Sequence, residues 1–129
     1  HVLWEDLRNS TSEIFYKNSG QICPFQYILF KMLRRSYKIN IIVNNRNIRN
    51  LVIDPHYELK HSESISDTLI LELVKLLDGS DFTPEAVTKG FEYYTTENLV
   101  LRGKKYRLVW LLEKDQLYIG VINAYRRKS

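Results

Sequence analysis

Guanidinium groups gather near the C-terminus of this chain, at Arg107 and at the pair Arg126-Arg127, with Tyr125 just before the pair. A guanidinium is a planar fork that binds two phosphate oxygens at once, so these residue types point to phosphate chemistry. Arg102, Lys104, Lys105, Lys114 and Lys128 complete the set. Residues 102–129 hold eight cations against two acids, a local charge of +6. Concentrated positive charge of this kind seats a phosphate chain, RNA or DNA. Imidazole is the natural companion, because its unperturbed pKa of ~6.5 lets it take and return protons near neutrality. His56 and His61 lie in Asp54-Pro-His-Tyr-Glu-Leu-Lys-His61, between a strand-like and a helix-like segment, where folds commonly hold reactive groups.

Cleavage of RNA by its own 2′-hydroxyl needs those parts. A base takes the hydroxyl proton, cations hold the pentacoordinate phosphorane, and an acid protonates the leaving 5′-oxygen. His56, His61, Arg107 and Arg126 have the residue types for these tasks, and Lys60, Arg102, Lys104, Lys105, Tyr118 and Lys128 are the candidate nucleic-acid contacts. If Leu51–Lys60 were extended, His56 and Lys60 would point one way and His61 the other. A joint histidine pair requires a turn at Pro55 or after Tyr57. Each residue also has a plainer reading: arginines at strand ends, histidines in an exposed loop, tyrosines in packing. Two histidines with scattered acids match no standard metal spacing, so no metal and no cofactor is expected.

The elements that position these residues follow from periodicity. Residues 3–17 and 24–37 have helical spacing, with Pro24 in a first turn. Asn40–Asp54 reads as a hairpin around the Asn-rich run Asn44–Asn47. Ser64 or Ser66 can cap a helix whose stripe is Ile65, Leu69, Leu73, Leu76 and Leu77, with Asp78-Gly79 as its stop. Pro84 is expected to open a shorter helix to about Tyr94. Strands follow over Asn98–Leu101, Lys105–Glu113 and Gln116–Ala124. If Lys114-Asp115 is a two-residue turn, Glu113 faces Gln116. Tyr106, Leu108, Trp110 and Leu112 then share the core face with Leu117, Ile119, Val121 and Asn123, while Arg107 shares the other face with Arg126.

At 129 residues, with 44% hydrophobic and 26% charged residues, the chain fits one soluble domain. The expected fold is α+β: N-terminal helices, then an antiparallel sheet of about four to five strands packed against two further helices. Residues 1–40 form the helical extension and 41–129 the core of a single domain, 1–129. No stretch approaches the ~20 apolar residues of a membrane span, so no membrane association is expected. The single Cys23 excludes an internal disulfide. A start at His1 rather than Met fits a piece of something larger. Charge is unevenly spread, with −6 over residues 61–101, which suggests an acidic surface opposite the basic one.

The stretch Tyr106-Arg-Leu-Val-Trp, then Tyr118-Ile-Gly-Val-Ile, then Arg126-Arg127 resembles the C-terminal hairpin of RelE-type toxins, ribonucleases of the wider barnase/EndoU/colicin/RelE-like fold group. The resemblance implies metal-independent RNA cleavage in the cytoplasm, with a neutralising antitoxin or immunity protein as partner. It puts Arg107 in the place of the first phosphate-contacting arginine. Arg127 takes the second place by ungapped reading, whereas the facing of the strands favours Arg126. A bulge after Asn123 would reconcile the two. Tyr125 falls where an aromatic stacks on a base or relays a proton. A non-catalytic nucleic-acid-binding module and a protein-interaction domain using the acidic helix over 65–78 stand as alternatives.

Overall fold

The computed structural model describes residues 34–61 and 63–127, with the side chain of His56 excepted. The helix expected over 3–17, and residues 24–33 of the one expected over 24–37, lie outside the described residues. The chain divides into His1–Leu33 and Arg34–Ser129, and the described architecture is that of the second unit.

Six strands form one mixed sheet: β1 (Arg35–Val43), β2 (Arg46–Ile53), β3 (Ala86–Thr88), β4 (Phe91–Leu101), β5 (Lys104–Glu113) and β6 (Tyr118–Arg127). Their order across the sheet is β1-β2-β6-β5-β4-β3. All neighbours are antiparallel except β2 and β6, which run parallel from Asn50↔Tyr118 to Ile53↔Val121. Between β2 and β3 come a 3-10 turn (Pro55–Tyr57), a single helical turn α1 (Glu58–His61) and the helix α2 (Asp67–Lys75).

Three of the connections are two-residue turns with positive φ at both positions: Asn44-Asn45 (52° and 61°), Lys89-Gly90 (53° and 83°) and Arg102-Gly103 (51° and 76°). That geometry matches the right-handed twist of the flanking strands, and Asn and Gly tolerate it best. The Asn-rich hairpin therefore forms as the composition suggests. Lys89-Gly90 overturns the helix expected from Pro84 to Tyr94. Gly90 takes the turn position, Tyr93-Tyr94-Thr95-Thr96 favours a strand, and Val87 is 65% exposed, so 87, 91 and 94 are not one buried stripe. Residues 35–37, expected in a helix, belong to β1 for the same kind of reason: Arg35, Tyr37 and Ile39 alternate with exposed Ser36, Lys38 and Asn40. The sheet thus has more strands than expected, one parallel pair, and one substantial helix instead of two.

α2 begins as anticipated. Ser66 is its cap, its side-chain oxygen accepting from the Leu69 amide at 3.2 Å. Ile70, Leu73, Val74 and Leu77 bury their side chains in a core with Ile41, Val43, Ile48, Leu51, Ile53, Leu108, Trp110, Leu112, Ile119 and Val121. The sheet curls: Arg46 on β2 pairs with Glu92 on β4 at 2.8 Å, and Asn44 donates to the Tyr94 hydroxyl at 2.9 Å. Those strands are separated by β6 and β5 in the sheet. Within the core Trp110 stacks on Tyr94 (4.1 Å, 8°), meets Phe82 edge-on, and donates to Thr96 Oγ1 at 2.9 Å. No helix among the described residues is long and apolar enough to cross a membrane.

Candidate active site

Two bulges decide which side chains meet Arg107. The β5–β6 loop holds four residues, 114–117, rather than two, with Asp115 at φ 62° and the Gln116 amide bonded to the Glu113 carbonyl. Leu112 consequently faces Ile119. Relative to the two-residue turn, this displaces the register by an even number, so the core face expected for Tyr106, Leu108, Trp110, Leu112, Ile119 and Val121 is retained. Trp110 pairs with Val121 but Val109 pairs with Asn123, leaving Ile122 as an extra residue. That bulge inverts the alternation beyond it. Ala124 takes the buried position, and Arg107 faces Tyr125 with Lys105 facing Arg127. Arg126 faces Tyr106 and lies on the other side of the sheet. Arg127, not Arg126, accompanies Arg107, and the expected sharing of a face by Arg107 and Arg126 is corrected by one inserted residue.

The second bulge is in β4. Thr96 pairs with Leu108 and Leu99 with Tyr106, so Glu97 and Asn98 together oppose Arg107. Asn98 accommodates the distortion at φ 59°. One Glu97 carboxylate oxygen then lies 3.9 Å from both Arg107 Nε and Arg127 Nη2. These are loose ion pairs beyond hydrogen-bond distance. Arg107 Nε is shielded from solvent and has no hydrogen-bond partner.

His61 reaches the same place along the edge of β6. Pairing with β2 stops at Val121, whose carbonyl accepts from the Asp54 amide at 2.9 Å. The chain then turns through Pro55–Tyr57, and α1 ends on His61. The imidazole stacks on Tyr125 at 5.4 Å and 24°, and the Arg107 guanidinium lies 5.4 Å from the same ring. His61, Tyr125, Arg107 and Arg127 thus form one constellation, and its members are half-buried to exposed.

The remaining candidates distribute themselves unevenly. Lys60 is exposed beside His61, and Lys105 is exposed on the face of Arg107 and Arg127. Lys104 alternates to the other side. Arg102 is held by Glu72 of α2 at 2.6 Å. Tyr118 donates to Glu113 at the opposite end of β6, about 30 Å from Arg127 at ~3.3 Å per residue. The His56 side chain and Lys128 lie outside the described residues. Four of the eight acids of 61–101 lie against cations: Asp67 with Arg35, Glu72 with Arg102, Glu92 with Arg46, Glu97 with Arg107 and Arg127.

A polar hub that sequence reading missed fixes the segment carrying His61. Asp67, at the start of α2, accepts from Arg35 Nε at 2.6 Å and Nη2 at 2.8 Å, from Tyr37 at 2.5 Å and from Tyr57 at 2.7 Å. Arg35 also reaches Glu58 of α1. Burial alone would push the Asp67 carboxyl up, but the hydrogen bonds from Arg35, Tyr37 and Tyr57 outweigh it and hold the group below its ordinary range. Burial and the bond to Asp67 push the Tyr57 hydroxyl well up, and Arg35 is likewise raised, chiefly by Asp67. The hub was legible only once Arg35 and Tyr37 were known to share one face of a strand.

Among the described residues no group of three or more His, Cys, Asp or Glu is placed to hold a metal ion. Comparison with known proteins gives no match to a protein-family model, to a curated protein or to a solved structure.

Proposed function

We propose that this chain is a small metal-independent endoribonuclease of toxin type, acting on RNA in the cytoplasm. The observation that carries the reading is the meeting of His61, Tyr125, Arg107 and Arg127 at one end of the sheet, in line with the RelE-type resemblance of residues 106–127. In this reading Arg107 and Arg127 hold the non-bridging oxygens of the scissile phosphate. Their forks bind the charge that grows as the 2′-hydroxyl attacks. His61 transfers a proton to or from the reacting oxygens, oriented by its contact with the Tyr125 ring. Lys105 and Lys60 extend the cationic track for flanking phosphates. An antitoxin or immunity protein would place acidic residues over these arginines.

The two neighbouring arginines provide the test. Arg127→Ala is expected to slow cleavage of a single-stranded RNA about 10–100-fold, because it removes one phosphate ligand. Arg126→Ala, on the far side of the sheet, is expected to change the rate less than about threefold, as a surface substitution away from the reacting atoms. Equal effects of the two substitutions would contradict the assignment.

A further inference from the structure

Glu97 is an unexpected presence in a site for polyanions. A carboxylate beside a phosphate seat repels the substrate, and nothing about the β5–β6 hairpin requires it. Yet a bulge in β4, with Asn98 at φ 59°, sets it opposite Arg107, where one oxygen lies 3.9 Å from each of the two guanidinium groups. The contact is not a hydrogen bond, Glu97 is about half exposed at 49%, and Arg107 Nε is left without an acceptor. An exposed ion pair this loose holds its partners weakly. A phosphate oxygen making charge-assisted bonds to both arginines would displace it without the carboxylate leaving the neighbourhood.

Charge balance then assigns a role. With Lys105 and Lys60 facing the flanking phosphates, the two guanidinium groups and one carboxylate at the central phosphate carry a net charge of one positive. An internal phosphodiester carries one negative charge and is matched. A terminal phosphomonoester carries ≈ −1.5 to −2 at pH 7 and is over-charged for the site. We propose that Glu97 is a specificity-determining residue that selects internal phosphodiesters and rejects terminal phosphates. The inference rests on the phosphate-binding reading of Arg107 and Arg127. It gives the site a defined substrate class: interior linkages of a strand, with chain ends and cleaved products carrying a terminal phosphate disfavoured.

The test uses two probes that differ by a methyl group and a charge, and that cannot be cleaved for want of a 2′-hydroxyl. These are thymidine 3′-monophosphate and its methyl ester, titrated at pH 7.5 into wild-type protein, Glu97→Gln and Glu97→Asp. Removing the carboxylate relieves a repulsion proportional to ligand charge. Glu97→Gln should therefore tighten the ester about threefold and the monophosphate about tenfold, narrowing the wild-type preference for the ester by about threefold. Glu97→Asp, which keeps the charge, should keep that preference. Equal gains for both probes, or weaker binding of both in Glu97→Gln, would overturn the role of Glu97 while leaving the phosphate site in place. Failure of both probes to bind wild-type protein would overturn this inference and the phosphate-binding reading together.

Discussion

Replacing Arg107 with alanine is expected to slow RNA cleavage about 10²–10³-fold while RNA remains measurably bound. Arg107 is the central cation of the constellation. It is one-third exposed, lies against Tyr125, and is approached by Glu97 from the neighbouring strand. A donor that meets charge developing in the transition state contributes about 2.7–4 kcal/mol when removed, and here the growing charge is on the phosphorane oxygens. Ground-state binding is shared with Arg127, Lys105 and Lys60, so the loss should fall on the rate constant at saturation more than on affinity. A non-catalytic nucleic-acid-binding module would behave otherwise. Arg107→Ala would then lower affinity and reduce the salt dependence of binding by about one phosphate contact, with no cleavage to lose. Single-turnover rates and binding isotherms on the same RNA separate the two. A protein-interaction domain would show neither effect.

The second large effect is on stability. Asp67→Asn is expected to destabilise the fold by about 3 kcal/mol in urea unfolding, because one substitution weakens the bonds from Arg35, Tyr37 and Tyr57 together. The Asp67 side chain is 17% exposed, so Arg35 would lose a largely desolvated partner rather than a surface one. The pH dependence has a definite sign. A carboxyl whose folded pKa is held down contributes stability that is fully present above its ordinary value of 3.8 and is lost as pH falls through the lower folded value. Wild-type and Asp67→Asn stabilities should therefore differ most near neutrality and converge in that acidic window. A difference that is unchanged down to pH 2 would show that Asp67 acts through shape rather than charge.

How much of this was legible in the sequence depends on whether the signal was local. The Asn44-Asn45 turn and the Ser66 cap are local chemistry, and both form where composition places them. The inward face of β5 and β6 follows from period-two alternation, and Trp110, Leu112, Ile119 and Val121 are all buried. The expected helix over 84–94 failed because three apolar positions at 87, 91 and 94 are too few to establish a helical period: Val87 lies exposed on β3, and Phe91 and Tyr94, three apart on β4, are both buried although they alternate to opposite sides of the strand. Gly90, the better evidence, marks a turn. The choice between Arg126 and Arg127 was out of reach for a different reason. It depends on whether Ile122 is accommodated as a bulge, which cross-strand packing decides, so a single residue moved Ala124 into the core and Arg127 beside Arg107. Glu97 escaped notice for the same reason, since a bulge in β4 aims it. Arg35, Tyr37 and Asp67 are distant in sequence, and their meeting needs the whole topology.

The most direct test of the central claim is the chemistry of the cut ends. Purified protein incubated with single-stranded RNA in EDTA should leave 2′,3′-cyclic phosphate and 5′-hydroxyl ends, with the cleavage strongly reduced in Arg107→Ala. Intact RNA under all conditions, or 5′-phosphate ends that require attack by water in place of the 2′-hydroxyl, would contradict the account.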